Sequence, residues 1–437
     1  MKVKTALLEK INKGEEVVGI IGLGYVGLPL AVNFAEIGIT TLGFDKSVGK
    51  VEKINKGDNY ISDIRDAVLR DVVIDKLKLS ATTDFSRIAE CDALIICVPT
   101  PLDRFRKPDM SYIEAASTAI GKHMKRGTFI CLESTTYPTT TEDFILPILQ
   151  KESSLEQGVD FWLAYSPERV DPGNPQFHTR NTPKVLGALS EDGLEIGKAL
   201  YEKAIEQIYP VSSPRVAEMV KILENTYRLV NISLINELAL LSGKMDINIW
   251  EVIEAAKTKP FGFQAFYPGP GIGGHCIPLD PFYLEHIAKK YNFDLSMIHT
   301  AGHINMRMPH YMYIKIATAL NRHQKAVNGS KILFLGAAYK PNINDARESP
   351  ALEIMDITAH KGGLVSYHDP YIPELRTKEG RDFQSTPLTE DLLAGADCVV
   401  LATNHKVFDA DFIQQHARMI VDLRNMVKDA SEGVSKL

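Results

Sequence analysis

The feature that most constrains the fold of this 437-residue chain is a series of short apolar runs separated by helical stretches. Several of these runs are unbroken rather than alternating, which is typical of parallel strands covered on both faces. The pattern predicts a doubly wound α/β domain that ends near residue 210. The expected strands lie at residues 17–21, 40–44, 93–98, 128–132, 161–165 and 184–188.

The last part of the chain restarts this strand–helix pattern after a helical middle. Ser213 and Pro214 open a long helical segment, since proline suits a first helical turn. Its apolar residues form one stripe, which we expect to serve as a spine between domains or as a subunit interface. The stripe consists of Val216, Val220, Leu223, Tyr227, Val230 and Leu234. Four further strands are expected at residues 331–339, 364–369, 398–403 and 419–423.

These patterns define a fold class and three segments. We predict two Rossmann-like doubly wound domains, at residues 1–210 and 326–437, joined by a helical central domain at residues 211–325 that contains the spine helix.

Composition narrows the class of protein. A net charge of −6 gives no electrostatic reason to expect nucleic acid or an anionic membrane as the partner. The apolar block at residues 6–8 is too short for a signal-peptide core, and no run approaches the length of a membrane span. Five cysteines form no CxxC pair. Reduced thiols and a cytoplasmic location are therefore expected.

A glycine-rich turn predicts a dinucleotide site. Gly22, Gly24 and Gly27 form a GxGxxG between the strand at residues 17–21 and an apolar helical run, the context that gives this motif its meaning. Asp45 ends the next strand, where a carboxylate can bind the ribose hydroxyls and would repel a 2′-phosphate. NAD is therefore favoured over NADP.

A second loop contains a candidate nucleophile. Residues 268–284, PGPGIGGHCIPLDPFYL, hold too many glycines and prolines for a regular element. Cys276 lies in the middle, with Asp280 four residues later, whereas the other cysteines lie in or beside apolar runs and resemble inert core residues. From the local sequence alone, a functional thiol and an inert one both stay open. His275 lacks a partner at ligand spacing, so no metal site is expected.

Other polar residues are candidates for the same chemistry. Lys221 and Asn225 share one face of the spine helix, either as a solvated flank or as a cation and an amide directed into a site. Glu168 follows the strand at residues 161–165, and Thr135 follows the strand at residues 128–132. Each of these could also be ordinary loop chemistry.

Seven motifs together identify a family that the sequence resembles. GLGYVGLPLA, CVPTP, ESTTYP, SPER, Lys221-x-x-x-Asn225, GGHCIPLDP and KPNINDARES occur in this order in the UDP-glucose/GDP-mannose dehydrogenase family. The match runs from about residue 15 to residue 425. The resemblance implies an NAD-binding domain, a central dimerisation domain with the catalytic lysine and cysteine loop, and a UDP-sugar-binding domain.

The resemblance also implies roles for individual residues. Cys276 would be the nucleophile, Glu168 an acid/base group, and Lys221, Asn225 and Asp280 would surround the reacting oxygen or water. The implied catalytic residues are Cys276, Lys221, Asn225, Asp280, Glu168 and Thr135. The implied cofactor contacts are Gly22, Gly24, Tyr25, Val26, Gly27, Asp45, Pro99, Thr100, Thr135 and Arg347. The implied substrate contacts are Glu168, Arg169, Lys221, Asn225, Tyr267, Gly271, Gly273, Gly274, Lys340 and Arg424.

The expected reaction is a four-electron oxidation of the C6 hydroxyl of a UDP-sugar to a uronic acid, through a thioester on Cys276. The helical leader and the YPGPG segment resemble the UDP-N-acetyl-D-glucosamine 6-dehydrogenases of bacterial polysaccharide synthesis. His275 stands where UDP-glucose enzymes usually carry serine. UDP-glucose, UDP-N-acetylgalactosamine and UDP-N-acetylmannosamine stay open as substrates, and a homodimer or higher homo-oligomer is expected.

Two other classes of function stay open at this point. A single-step β-hydroxyacid or phosphogluconate-type dehydrogenase would also use a lysine and an asparagine on a helix, but it would need no cysteine and would give one NADH per substrate. A nucleotide-binding sensor or scaffold would keep the glycine loop and have no use for Cys276.

Overall fold

The structure is a computed structural model that describes residues 2–61, 64–103, 107–171, 174, 176–274, 276–428 and 433–437. The chain divides into two compact units. Unit 1 comprises Met1–Glu224 and Phe282–Asn292, and unit 2 comprises Asn225–Pro281 and Phe293–Leu437. The three-segment division of the sequence stays a prediction.

The strands follow the apolar runs closely. In chain order they are β1 Val17–Ile21, β2 Thr40–Phe44, β3 Leu79–Thr82, β4 Ala93–Ile96, β5 Thr128–Leu132, β6 Phe161–Tyr165, β7 Lys184–Ala188, β8 Ile208–Val211, β9 Lys331–Leu335, β10 Leu364–His368, β11 Glu374–Arg376, β12 Asp382–Gln384, β13 Cys398–Leu401, β14 Ile420–Asp422 and β15 Val434–Lys436.

The helices alternate with these strands except in the middle of the chain, where they follow one another. They are α1 Lys2–Lys13, α2 Gly27–Glu36, α3 Val48–Lys56, α4 Asp66–Arg70, α5 Ser111–His123, α6 Leu146–Ser153, α7 Glu191–Ala204, α8 Pro214–Lys244, α9 Ile249–Lys257, α10 Asp280–Ala288, α11 Ser296–Arg322, α12 Pro350–His360, α13 Glu390–Gly395 and α14 Ala410–His416.

Unit 1 is built on an eight-stranded sheet with the order β3-β2-β1-β4-β5-β6-β7-β8. The first six positions have the order of dinucleotide-binding folds, whose ligand lies where the strand order reverses, here between β1 and β4. Two apolar clusters cover the two faces of the sheet, one containing α2 and α7 and the other α5 and α6. The predicted doubly wound fold is confirmed.

Two features of this sheet differ from the expectation. β6 and β7 pair antiparallel, whereas the other neighbouring strands are parallel. The edge strands β3 and β8 were not predicted from the sequence. β3 alternates buried and more exposed residues, and β8 is partly exposed and contains Pro210. An edge strand has a neighbouring strand on one side only and is less completely buried than a central strand, so its sequence need not be an unbroken apolar run. Proline is tolerated in an edge strand because no further strand needs the N–H that it lacks.

Unit 2 contains a five-stranded parallel sheet with the order β10-β9-β13-β14-β15, so the order reverses between β9 and β13. Apolar clusters cover both faces, with α11 and α12 on one side and α13 and α14 on the other. β9, β10 and β13 begin at the predicted residues and β14 begins one residue later, and all four strands end earlier than predicted, β9 by four residues. Gly336 turns the chain directly after β9 with φ +89°, and a Cβ there would lie 2.5 Å from Thr403.

The long helix predicted from Ser213 and Pro214 is confirmed as α8, Pro214–Lys244. Its predicted apolar stripe faces outward, with Leu223 64% and Leu234 50% exposed. The opposite face is buried and includes Lys221 and Asn225. In the described part of the chain, no helix is long and apolar enough to cross a membrane.

The start of α8 depends on a close approach to β7. A Cβ added to Gly187 would lie 2.2 Å from the carbonyl oxygen of Ser213 and 2.9 Å from the nitrogen of Pro214. We predict that Gly187→Ala lowers the free energy of unfolding by about 1–3 kcal/mol, because backbone atoms would have to move. Gly49→Ala in α3 is the control, since its Cβ meets nothing within 4 Å. Urea unfolding of both variants measures the difference, and equal stability would contradict this packing.

Candidate active site

The glycine loop after β1 has the shape that its motif predicts. Gly22 has φ +94°, and a Cβ there would lie 2.6 Å from the carbonyl oxygen of Cys97. At Gly27 a Cβ would lie 1.9 Å from the oxygen of Gly22, so both positions require glycine. Gly24 differs, because a Cβ there would meet nothing within 4 Å. The loop therefore presents backbone to open space at the start of α2, which fits a pyrophosphate at a helix N-terminus.

Asp45 is held beside this loop at the end of β2. Its carboxylate accepts hydrogen bonds from the backbone N–H groups of Leu23 at 3.1 Å and Ser47 at 2.9 Å. The ammonium of Lys50 lies 3.3 Å from the same carboxylate. Backbone donors thus fix the carboxylate next to the loop, in the position expected for binding a ribose diol. Tyr25 and Val26 lie in the loop itself, Tyr25 being exposed and Val26 partly buried.

The loops after β4 and β5 lie side by side at the carboxyl edge of the sheet. The Ser134 hydroxyl donates to the carbonyl of Val98 at 2.7 Å, and the Thr100 carbonyl accepts from the Tyr283 hydroxyl. Thr135 is partly buried and Pro99 is exposed. Unit 1 therefore brings together the predicted cofactor residues Pro99, Thr100 and Thr135.

Glu168 lies in the loop after β6, in contact with α8. One oxygen of its carboxylate accepts from the N–H groups of Arg169 at 2.8 Å and Val170 at 2.7 Å. The ammonium of Lys221 donates to the Glu168 carbonyl at 2.6 Å. Lys221 is only 8% exposed, which excludes the solvated-flank interpretation. Arg169 is paired with Glu224 at 2.7 Å, so its proposed substrate contact stays a prediction.

Three buried charged residues of unit 1, Glu133, Lys184 and Glu218, were not predicted from the sequence. Glu133 follows β5, and its carboxylate lies 2.9 Å from the ammonium of Lys184, the first residue of β7. Glu218 of α8 accepts from the backbone of Thr139 at 2.6 Å and Thr141 at 2.9 Å. Burial raises the pKa of Glu218 to about 7, although these donors oppose the shift. The sequence offered one signal for the burial of Glu133 and Lys184, because Glu133 directly follows the run of β5 and Lys184 begins the run of β7.

Cys276 lies in unit 2 with two of its predicted partners, Asn225 and Asp280, whereas Lys221 and Glu168 belong to unit 1. The Cys276 carbonyl accepts from the N–H groups of Leu279 at 3.2 Å and Asp280 at 2.8 Å, which makes a tight turn. The Asn225 amide donates to the Asp280 carboxylate at 2.6 Å, and both side chains are buried. Of the five cysteines, all of which are described, Cys276 is the exposed one. Burial raises the pKa of Cys398 to about 12, as expected for an inert core thiol.

The glycines of the cysteine loop pack on the loop after β9. A Cβ on Gly273 would lie 2.6 Å from Tyr339, and one on Gly274 would lie 2.7 Å from its ring. Gly271 has φ +129° and lies against Pro350. Lys340 follows Tyr339 directly, so unit 2 brings the loop glycines close to this predicted substrate residue.

Three further predicted contacts also lie in unit 2. Arg424 donates to the carbonyl of Ala402 at 2.9 Å, and burial lowers the pKa of its guanidinium to about 10. Arg347 is exposed and pairs with Asp345 at 2.7 Å. Tyr267 donates to Glu254 at 2.7 Å. The roles of all three stay predictions, and His275 lies outside the described residues.

A buried histidine, also not predicted from the sequence, organises the loops of the second sheet. His405 Nδ1 accepts from the N–H of Asn342 at 2.9 Å, so Nε2 carries the proton and donates to Asp369 at 3.0 Å. Burial alone would raise the pKa of Asp369, but donors from His405, Ala337 and Ala338 hold it below its usual range. These contacts join the loops after β9, β10 and β13 at the carboxyl edge of the second sheet, and the loop after β9 carries Lys340.

Comparison with protein-family models gives three consecutive matches. The NAD binding domain of the UDP-glucose/GDP-mannose dehydrogenase family matches residues 16–205, its central domain residues 215–307 and its UDP binding domain residues 333–429.

Individual relatives agree with these matches. The chain is 35% identical to a UDP-N-acetyl-D-mannosamine dehydrogenase of Pyrococcus horikoshii, over 95% of this chain and 97% of the relative. It is 34% identical to a UDP-N-acetyl-D-glucosamine 6-dehydrogenase of Pseudomonas aeruginosa, over 90% of this chain and 91% of the relative. A solved UDP-D-ManNAc dehydrogenase from Pyrococcus horikoshii superposes with a TM-score of 0.87 at 34% identity, covering 96% of this chain and 98% of the other.

The glycine loop with Asp45 fits a dinucleotide, and the three family matches cover both the NAD-binding and UDP-binding segments. The chain therefore belongs to the UDP-glucose/GDP-mannose dehydrogenase family and is an NAD-dependent UDP-sugar dehydrogenase.

Proposed function

We propose that this enzyme oxidises the C6 hydroxyl of UDP-N-acetyl-D-glucosamine to the uronic acid, through a covalent thioester on Cys276. The observation that carries the thioester is the arrangement in unit 2, where an exposed thiol lies in one turn with a buried carboxylate, Asp280, held by Asn225. A thiol that packs in a core could not reach a substrate, whereas this one can.

The proposed steps assign a task to each of the candidate catalytic residues. NAD held by the Gly22–Gly27 loop and Asp45 would supply the hydride acceptor, and a second NAD molecule would be needed for the second oxidation. Glu168 takes the proton of the C6 hydroxyl while C6 loses a hydride to the acceptor, which yields the aldehyde. The thiolate of Cys276 adds to the aldehyde carbon, its proton passing to a neighbouring base, and the oxygen becomes the hydroxyl of a thiohemiacetal. That carbon then loses a second hydride to the acceptor while the hydroxyl proton passes to a neighbouring base, which gives the thioester.

Hydrolysis then completes the reaction. Water attacks the thioester carbon, with Asp280 or Glu168 taking its proton, and the C–S bond breaks to release the carboxylate and restore the thiol. Lys221 and Asn225 stabilise the negative oxygen that forms during thiol addition and hydrolysis, an effect worth about 3 kcal/mol for a well-placed donor.

Removing the sulfur tests the covalent step. We predict that Cys276→Ala no longer forms acid, because the aldehyde then lacks a nucleophile, whereas the unmodified enzyme gives two NADH per sugar. NADH absorbance with product mass measures both. Cys398→Ala is the control, since this thiol is buried in the second sheet, and it should keep the stoichiometry of two. Acid formation by Cys276→Ala at the normal rate would contradict the thioester route.

The N-acetyl sugar is proposed from sequence resemblance. The relatives named for UDP-N-acetyl-D-mannosamine and UDP-N-acetyl-D-glucosamine are about equally similar, at 35% and 34% identity. The YPGPG segment and His275 favour the glucosamine branch. UDP-glucose and UDP-N-acetylgalactosamine complete the set of candidate substrates. The product would be a precursor for capsule or O-antigen polysaccharide in the cytoplasm.

A substrate panel decides between these sugars. We expect kcat/KM for UDP-N-acetylglucosamine to exceed that for UDP-glucose by about tenfold or more, because a site built for the acetamide leaves polar groups unpaired without it. UDP-N-acetylmannosamine and UDP-N-acetylgalactosamine test the C2 and C4 configurations. A higher kcat/KM for any of these three would assign that sugar instead.

We also propose that a second copy of the chain covers the outward apolar stripe of α8. Leu223 and Leu234 are large apolar side chains on one continuous helix face, and an exposed patch of this kind marks an association surface. The homodimer is the simplest closed assembly that buries it.

Charge on the stripe should separate the subunits. We predict that Leu223→Glu and Leu234→Glu each yield a monomer by light scattering, because a buried carboxylate without a partner opposes association. Leu77→Glu is the matched control, since Leu77 is 78% exposed and lies outside α8, and it should leave the oligomeric state unchanged. An unchanged mass for both α8 variants would contradict this interface.

A further inference from the structure

A buried ammonium lies between two carboxylates in unit 1. The nitrogen of Lys184 is 2.9 Å from an oxygen of Glu133 and 4.0 Å from an oxygen of Glu168. The Tyr201 hydroxyl donates to the other oxygen of Glu133 at 2.5 Å. The side chains of Glu133 and Lys184 are 0% and 6% exposed, so water screens these charges little.

The two carboxylates of this cluster are held differently. Glu133 receives both the ammonium and the Tyr201 hydroxyl within hydrogen-bond distance. Glu168 uses one oxygen for the N–H groups of Arg169 and Val170, and its other oxygen faces Lys184 beyond hydrogen-bond range. The ammonium therefore acts on Glu168 through its charge rather than through a hydrogen bond, and Glu133 partly neutralises that charge.

Lys184 is protonated at the pH at which the enzyme works. Burial alone would lower the pKa of Lys184, but the carboxylates of Glu133 and Glu168 raise it above its ordinary value. The thiol of Cys97 nearby stays neutral, because burial raises its pKa well above the usual range. Burial raises the pKa of the Glu133 carboxyl, and the neighbouring Lys184 ammonium and Tyr201 hydroxyl oppose that shift.

We propose that Lys184 is a positioning residue whose ammonium places a positive charge beside the carboxylate of Glu168, the base of the reaction, and that Glu133 neutralises part of that charge. The inference rests on the proposed role of Glu168. If the proposal is correct, the acid limb of the pH–rate profile depends on Lys184 and Glu133, two buried residues that do not contact the substrate.

The other cations of unit 1 near Glu168 do not place their charge beside its carboxylate. Lys221 donates to the backbone carbonyl of Glu168 rather than to its carboxylate. The Arg169 guanidinium is paired with Glu224, and the Arg169 contribution to the carboxylate is its backbone N–H. Lys184 is the cation whose nitrogen lies within 4.0 Å of the Glu168 carboxylate among the ion pairs of the described residues.

Two variants move the balance of charge in opposite directions. In Glu133→Gln the Lys184 ammonium is no longer partly neutralised by Glu133. Its full charge then favours the carboxylate form of Glu168, so the pKa of the acid limb of kcat/KM should fall. In Lys184→Met/Glu133→Gln the ammonium is gone, so the pKa should rise by about 1–3 units, the size expected for losing an opposite charge at this distance. The double variant avoids leaving the Glu133 carboxylate buried without a partner, which would endanger folding.

The controls separate charge from structure. Lys184→Arg keeps the cation and should keep the wild-type pKa. Lys198→Met removes an exposed lysine that pairs with Glu202 and should leave the profile unchanged. Thermal unfolding of each variant verifies that it is folded before its profile is measured.

Opposite shifts of the acid limb in the two variants would support the inference. Shifts in the same direction, or lower kcat with an unmoved pKa, would overturn it and leave the cluster a structural role. Glu168→Gln tests the underlying assignment independently. If Glu168→Gln keeps the wild-type acid limb, the proposed base is wrong. If it abolishes that limb while the Lys184 variants leave it unmoved, the role of Lys184 alone is wrong.

Discussion

The constraint on which this structure depends is that both central sheets are buried on both faces. Helices cover each side, so inward and outward positions of the central strands are alike apolar. Polar candidate residues are therefore found at the ends of these strands rather than along them, and the remaining candidates lie on α8, in the loop before α10 and at the start of α10. Asp45, Glu168 and Asp369 each stand directly after a strand or within its following loop. The same constraint explains why the strands were easy to recognise in the sequence.

Three sets of buried ionisable groups, Glu218, Asp369 with His405, and Glu133 with Lys184, form contacts that join separate segments of the chain. Glu218 joins α8 to the backbone of the loop after β5. In the second sheet, Asp369 and His405 join the loops after β9, β10 and β13. Glu133 and Lys184 join β5 to β7. Within each unit, such contacts restrict the movement of the loops that they join, which favours a preorganised site.

Much of the fold followed from the sequence because parallel strands and glycine turns leave local signals. The edge strands were missed because their patterns are mixed, and the direction of β7 was missed because pairing direction leaves no mark on a five-residue run. The partners of the candidate site were harder to foresee. Lys184 pairs with Glu133 51 residues away, and no spacing rule relates the two. The α8 stripe was recognised, but its outward direction required coordinates.

The central claim is that the sugar becomes covalently attached to Cys276 during turnover. The most direct measurement is mass spectrometry of acid-quenched enzyme during steady-state turnover, with Asp280→Asn to slow hydrolysis. We expect an acyl adduct of the UDP-sugar on the peptide that contains Cys276, released by hydroxylamine. Active enzyme that never carries such an adduct, or carries it on another residue, would contradict the covalent route.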